Sequence, residues 1–179
     1  MKIEKRLEEL KEIIKTPDFL EKTMEVPFYV FEYDIEDEAL VEYHLRNIKE
    51  SLPFNIHIID IFSLLIRILE EMEYLKYLFG RNQKEVFENI APFITDVQER
   101  ILNESKDADI LFVIGIGKAY PFLKITDILK FLESHIRIPV IVFYPGSFDG
   151  VKFFLFDRLQ DGVYYRAKPI ISREWRENL

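Results

Sequence analysis

The segment Asp109-Ile110-Leu111-Phe112-Val113-Ile114-Gly115-Ile116-Gly117-Lys118-Ala119-Tyr120-Pro121-Phe122-Leu123 constrains the fold more than any other part of the chain. After Asp109 its apolar run is too short for a helix of its own. It breaks at the two glycines, and a helical pattern then resumes behind a proline. That order predicts a buried central strand of a parallel sheet, a tight turn, and a helix carrying Pro121 in its first turn. Such a strand needs helices on both of its faces, which the rest of the chain must supply.

It supplies them in alternation. Ile3, Leu7, Leu10 and Ile14 mark an amphipathic helix over 2–15, followed by a break at Thr16-Pro17-Asp18. Residues 26–33, rich in aromatic and β-branched side chains, read as the first strand. Asp34 then caps a helix whose stripe runs Leu40, His44, Ile48, Leu52. Ile56–Ile61 reads as a second strand. Ser63 opens a helix with Leu65, Leu69, Met72, Leu75 and Phe79 on one face, closed by Gly80. Asn82 and Glu85 begin another helix, with a kink expected at Pro92. Beyond the central strand come a helix with Phe122, Ile125, Leu129 and Leu132 inward, then a strand over Ile138–Phe143. The segments 151–156 and 163–168 are expected to form an antiparallel ribbon turned by Asp161-Gly162. Strands alternating with helices predict an α/β three-layer sandwich, Rossmann-like in outline, with a mainly parallel sheet. No repeat or linker divides the chain, so 1–179 is expected to be one domain, with an N-terminal helical segment (1–22) and a charged tail (171–179).

Composition narrows the chemistry. With 179 residues, 49% of them hydrophobic, the chain can bury a sizeable core, and the lack of cysteine removes disulfides and thiolate chemistry. No segment has the length and apolarity of a membrane span, and the charged start lacks a signal-peptide core, so a cytoplasmic protein is expected. The net charge of −8 is uneven: residues 1–108 carry −10 and residues 109–179 carry +2. Phosphate backbones are repelled at long range by such a chain, which speaks against autonomous nucleic-acid binding.

The motifs give few candidates. Gly115-Ile116-Gly117-Lys118 has the place of a phosphate loop, but position 120 is Tyr where a dinucleotide fingerprint has glycine. Lys118 is followed by Ala119 where a nucleotide loop has Ser or Thr. A structural turn is the simpler reading. Tyr144-Pro145-Gly146-Ser147-Phe148-Asp149-Gly150 follows a central strand, where open α/β sheets place their sites, and it offers Tyr144, Ser147 and Asp149 to a ligand. Turn chemistry accounts for the same residues. The carboxylates of 32–38 would suit a divalent cation or a helix start equally. His44, His57 and His135 lack metal-ligand spacing, and no metal site is expected. Arg158, Arg166 and Trp175, with neighbouring aromatics, have the composition of a protein interface.

Four blocks taken together carry a family resemblance: Val26-Pro27-Phe28-Tyr29-Val30-Phe31-Glu32-Tyr33; the Asp109–Leu123 segment with Gly-x-Gly-x-x-Tyr-Pro-Phe; Pro139 through Gly150; and Leu155-Phe156-Asp157-Arg158-Leu159 continuing to Tyr164-Tyr165-Arg166-Ala167. In this order they resemble the BrxB family, the small component of bacterial BREX phage-exclusion systems. The chain departs from the family pattern at Lys124-Ile125-Thr126, where the family often has Arg, then Ser or Thr, then His. It departs again at Asp34-Ile35, where the family usually has two prolines. The resemblance implies a degenerate nucleotide-binding outline without cofactor or catalytic residues. It also implies a place beside a DNA methyltransferase, a phosphatase-like PglZ protein and large ATPases. On that basis a non-catalytic adaptor binding another BREX component is expected, with the PglZ-like protein as first partner and a homodimer as a further possibility. The rival class is a small enzyme or nucleotide-binding protein using the loops at Gly115–Lys118 and Tyr144–Gly150.

Overall fold

The computed structural model describes residues 2–21 and 27–173. A sheet of seven strands is the frame: β1 (Phe28–Tyr33), β2 (Ile56–Asp60), β3 (Ile110–Ile114), β4 (Val140–Phe148), β5 (Lys152–Leu155), β6 (Leu159–Val163) and β7 (Ala167–Pro169). Its main path runs β2-β3-β4-β1-β7, and every pairing along that path is parallel. β5 and β6 add an antiparallel ribbon to the far end of β4. The fold is α/β, with the expected central strand as β3.

Helices cover both faces. The helices are α1 (Ile3–Lys15), α2 (Pro17–Glu21), α3 (Glu38–Ser51), α4 (Ile61–Glu71), α5 (Leu75–Leu78), α6 (Gln83–Ile90), α7 (Ile94–Glu104), α8 (Ile116–Ala119) and α9 (Ile125–Glu133). Side chains alternate across the strands, because successive residues point to opposite faces. Phe31, Ile56, Phe112, Ile141 and Phe143 pack with α1 and α3. Val30, Leu111, Val113, Val140 and Val142 pack with α4, α7 and α9. The path from β1 to β2 crosses the sheet one way, and β2 to β3 to β4 returns the other way. Their connecting helices therefore lie on opposite faces. β1 and β4 are neighbours at the point where this direction reverses.

Several local expectations are corrected. The buried stripe of α3 is Val41, Leu45 and Ile48, with Leu52 just beyond, not the register through Leu40 and His44. Shifting the stripe by one residue puts two aliphatic side chains in the core in place of Leu40 and an imidazole. The helix expected over 63–79 ends at Met72. There Glu73, at φ 55°, and the bond from Tyr74 N–H to the Leu69 carbonyl (2.8 Å) build a Schellman stop without glycine. Met72 and Phe79 are exposed as a result. A 3-10 turn over Ala91–Phe93 makes the break expected at Pro92.

Behind β3 the helix starts at once: α8 follows Gly115, Gly117 lies within it, and Pro121 falls after it in a cis Tyr120–Pro121 segment. Tyr144–Phe148 is buried strand, not loop. Asp161 and Gly162 lie inside β6, and the ribbon turns instead at Phe156-Asp157. The segment that continues past Val163 does not extend the ribbon; β7 leaves it to become the parallel edge beside β1. No described helix is long and apolar enough to cross a membrane.

Candidate functional site

The sheet splits where β4 leaves β1. Through Pro145, β4 is in register with β1, Glu32 opposite Tyr144 and Tyr33 opposite Pro145. From Gly146 it pairs with β5 instead. A Cβ at Gly146 would stand 2.2 Å from the Phe154 carbonyl, so only glycine admits that approach. The separation opens a cleft of about 1280 Å³ at the carboxyl ends of β1 and β4, lined among others by Glu32, Asp34, Glu36, Asp37, Ser147 and Arg158. Open α/β sheets bind ligands at this topological position.

Each wall has a distinct origin. The end of β1 and the 3-10 turn over Ile35–Asp37 supply the carboxylates. Glu32, only 7% exposed, uses Oε1 to accept the Phe148 N–H at 2.5 Å, an amide at the end of the departing strand. Burial and the charges of Asp34, Glu4 and Glu36 hold the Asp37 carboxyl above the usual carboxylate range. The ribbon turn supplies the other wall. Phe156 and Asp157 sit at φ 54° and 59°, and Arg158 N–H closes the turn on the Leu155 carbonyl at 3.0 Å. A bulky Phe in the left-handed region is a strained choice.

Two arginines brace the cleft. Arg6, from the buried face of α1, donates through Nη2 to the carbonyls of Glu32 (2.7 Å) and Ile171 (2.8 Å) and lies over the Phe31 ring at 4.5 Å. Burial lowers its pKa in spite of the Glu32 charge. Arg173 spans the walls. Its Nη1 donates to Asp34, and its fork grips Asp157 at 2.5 and 3.2 Å. Burial pulls its pKa down, but the Asp157 hydrogen bond and nearby carboxylates raise it overall. Arg158 is exposed, and among the described residues its guanidinium has no ion-pair partner.

The other candidates from the sequence lie elsewhere. Gly115 has φ 81° and backs onto Asp60, whose Oδ1 accepts the Phe62 and Ser63 amides at the start of α4. Gly117 faces Pro145 and Phe156. Lys118 pairs with Glu42 (3.0 Å) and Glu38 (3.3 Å) on α3, and the Glu42 hydrogen bond raises its pKa. Tyr144 is buried against Phe153, with its hydroxyl 3.4 Å from Asp161. Ser147 is buried in the cleft wall. Asp149 is exposed, and its Oδ1 accepts the amides of Val151 (2.9 Å) and Lys152 (2.7 Å), which lower its pKa. Arg166 joins Tyr164 on Glu133 of α9. Trp175 falls outside the described residues. Sequence reasoning thus named Ser147, Arg158 and the 32–38 carboxylates but did not join them, and it passed over Arg6.

The described residues contain no group of three or more side chains arranged to hold a metal ion. A family model described as BREX protein BrxB matches residues 57–170, which hold β3 to β7 and the ribbon wall of the cleft, while β1 and the carboxylates of 32–37 precede it. A BREX protein BrxB of Bacillus cereus (strain H3081.97) is 31% identical over 190 residues, covering 96% of this chain and 99% of that relative. A BREX protein BrxB of Escherichia coli O9:H4 (strain HS) is 24% identical over 187 residues, covering 94% and 92%. No solved structure matches. With a family model over more than half the chain and a relative aligned along nearly all of it, the chain belongs to the BrxB family of BREX proteins.

Proposed function

We propose that this protein is a non-catalytic adaptor of a BREX anti-phage system, acting in the cytoplasm and binding another system component, with a PglZ-like phosphatase-superfamily protein as the first partner to test. One observation carries the reading. The turn best placed to serve a phosphate is spent on the fold, with Asp60 packed against Gly115 and Lys118 held by Glu38 and Glu42. An acidic helix surface beside that turn repels a nucleotide. The charged cleft between β1 and β4 is the surface we take that partner to engage. Trp175, in a charged tail, is proposed as an anchor of the same interface or of a homodimer.

Affinity capture from cells co-expressing the neighbouring BREX components tests the proposal. Stoichiometric recovery of the PglZ-like protein is expected, and its absence while other components are recovered would redirect the partner. The rival reading, a small enzyme or nucleotide-binding protein, has the buried Glu32 at the cleft in its favour. Calorimetry with Mg-ATP separates the two. No binding is expected, and a Kd in the micromolar range would replace the adaptor reading.

A further inference from the structure

The cleft between β1 and β4 is already a guanidinium site, because the chain fills part of it with its own arginine. Arg173 reaches across the opening and forks between Asp34 and Asp157, which shows what the walls can grip. Three carboxylates are left over. Among the described residues neither Glu36 nor Asp37 has an ion-pair partner, and Glu32, nine-tenths buried in the wall, commits only Oε1, to the Phe148 amide. Burial first, and then the charges of Asp34, Glu4 and Glu36, raise the Asp37 pKa against the pull of Arg6.

We propose that this cleft binds a basic segment of a protein partner, seating an arginine or lysine side chain against Glu32, Glu36 and Asp37. The space, about 1280 Å³, admits a side chain with its flanking backbone. A guanidinium suits it best, since planar forks match paired carboxylates. Arg158, without an ion-pair partner among the described residues, remains at the other wall for a carbonyl or carboxylate on the same segment. A phosphate-bearing ligand is disfavoured by the same carboxylates. The inference rests on the adaptor reading and assigns it a surface and a chemistry.

The test uses the full chain and a fluorescein-labelled hexa-arginine peptide, followed by anisotropy at 0.15 M salt. Saturable binding is expected, and Glu36→Gln with Asp37→Asn should weaken it at least fivefold. Glu85→Gln with Glu88→Gln removes the same charge from α6 and should change it less than twofold. Equal weakening by both pairs would reveal general attraction to an acidic protein and overturn the proposal, as would the absence of saturable binding. Backbone amide shifts confined to 32–37, 146–148 and 156–159 are the second expected result. Capture of co-expressed BREX components separates this idea from the reading beneath it. Full capture by the Glu36→Gln, Asp37→Asn chain overturns the cleft and leaves the adaptor standing. No capture by the unaltered chain overturns the adaptor itself.

Discussion

The Asp60 carboxylate occupies the place that a side chain at Gly115 would need: a Cβ there would lie 2.1 Å from Oδ1. The same oxygen accepts the amides of Phe62 and Ser63 at the start of α4. One atom pair therefore fixes the turn after the central strand and the first turn of a helix on the covering layer.

Gly115→Val is expected to cost on the order of 3 kcal/mol, combining left-handed backbone strain with loss of the Asp60 cap. Gly117 is not left-handed, and a Cβ there meets Phe156 and Pro145 at 3.1 and 3.2 Å, so Gly117→Ala should cost less than about 1 kcal/mol, helix propensity offsetting the tight contact. Urea denaturation of the two variants measures the difference. Equal stabilities would mean that the turn relaxes around Asp60.

Arg6 joins three parts of the chain distant in sequence: α1, β1 and the segment after β7. Arg6 is 4% exposed, so truncation leaves the carbonyls of Glu32 and Ile171 without this donor. Arg6→Met keeps most of the volume and is expected to lose about 3 kcal/mol. A loss below about 1 kcal/mol in the same denaturation experiment would show that water replaces the arginine.

Arg6 also marks what the sequence did and did not disclose. The parallel sheet was legible because β3 and the first half of β4 are apolar on both faces, and their neighbours alternate with helical periods. Arg6 stands on the apolar stripe with Ile3, Leu7 and Leu10, and a charge in that register signals a buried partner, but only the fold reveals which. The Schellman stop at Glu73 and the turn at Phe156-Asp157 were illegible because each uses a residue that local preference disfavours at positive φ. Tertiary packing holds them. The cleft was legible only in pieces, since Glu32 and Phe148 meet through a strand that changes partners halfway along its length.

Asp161 gives the fold a pH dependence with a definite sign. Its side chain is buried, with the Tyr144 hydroxyl at 3.4 Å from Oδ2 and no partner for Oδ1 among the described residues. Burial raises its pKa, against the opposing pull of Tyr144 and Lys124. From the ordinary carboxylate range up to that raised value, the native state keeps a proton that the unfolded chain has lost. Stability contributed by this group therefore falls as pH rises through the interval. Asp161→Asn should flatten that part of the profile and raise the neutral-pH Tm by roughly 2–4 °C, the shift that about 1 kcal/mol produces in a domain of this size. Melting curves across pH 4–8 decide it, and parallel curves for the two proteins would show that Asp161 is solvated in the native state.

Arg173 should behave as a latch between the two walls of the cleft, the segment after β1 and the ribbon turn, not as a surface ion pair. It is 20% exposed and holds Asp157 with two nitrogens while Asp34 takes a third bond. Forked, charge-assisted bonds at a partly buried site are stronger than the median exposed pair, which contributes 0–1 kcal/mol. Arg173→Gln is expected to cost about 1–2 kcal/mol, and Arg173→Lys nearly as much, because an ammonium cannot reproduce the planar fork. Raising salt from 0.05 to 1 M should narrow the gap between the parent chain and Arg173→Gln only in part, since partly buried bonds are less fully screened than exposed ones. Full rescue by Lys, or a gap that closes completely in salt, would reduce the latch to an ordinary exposed pair and free Asp34 and Asp157 for a ligand at no structural expense.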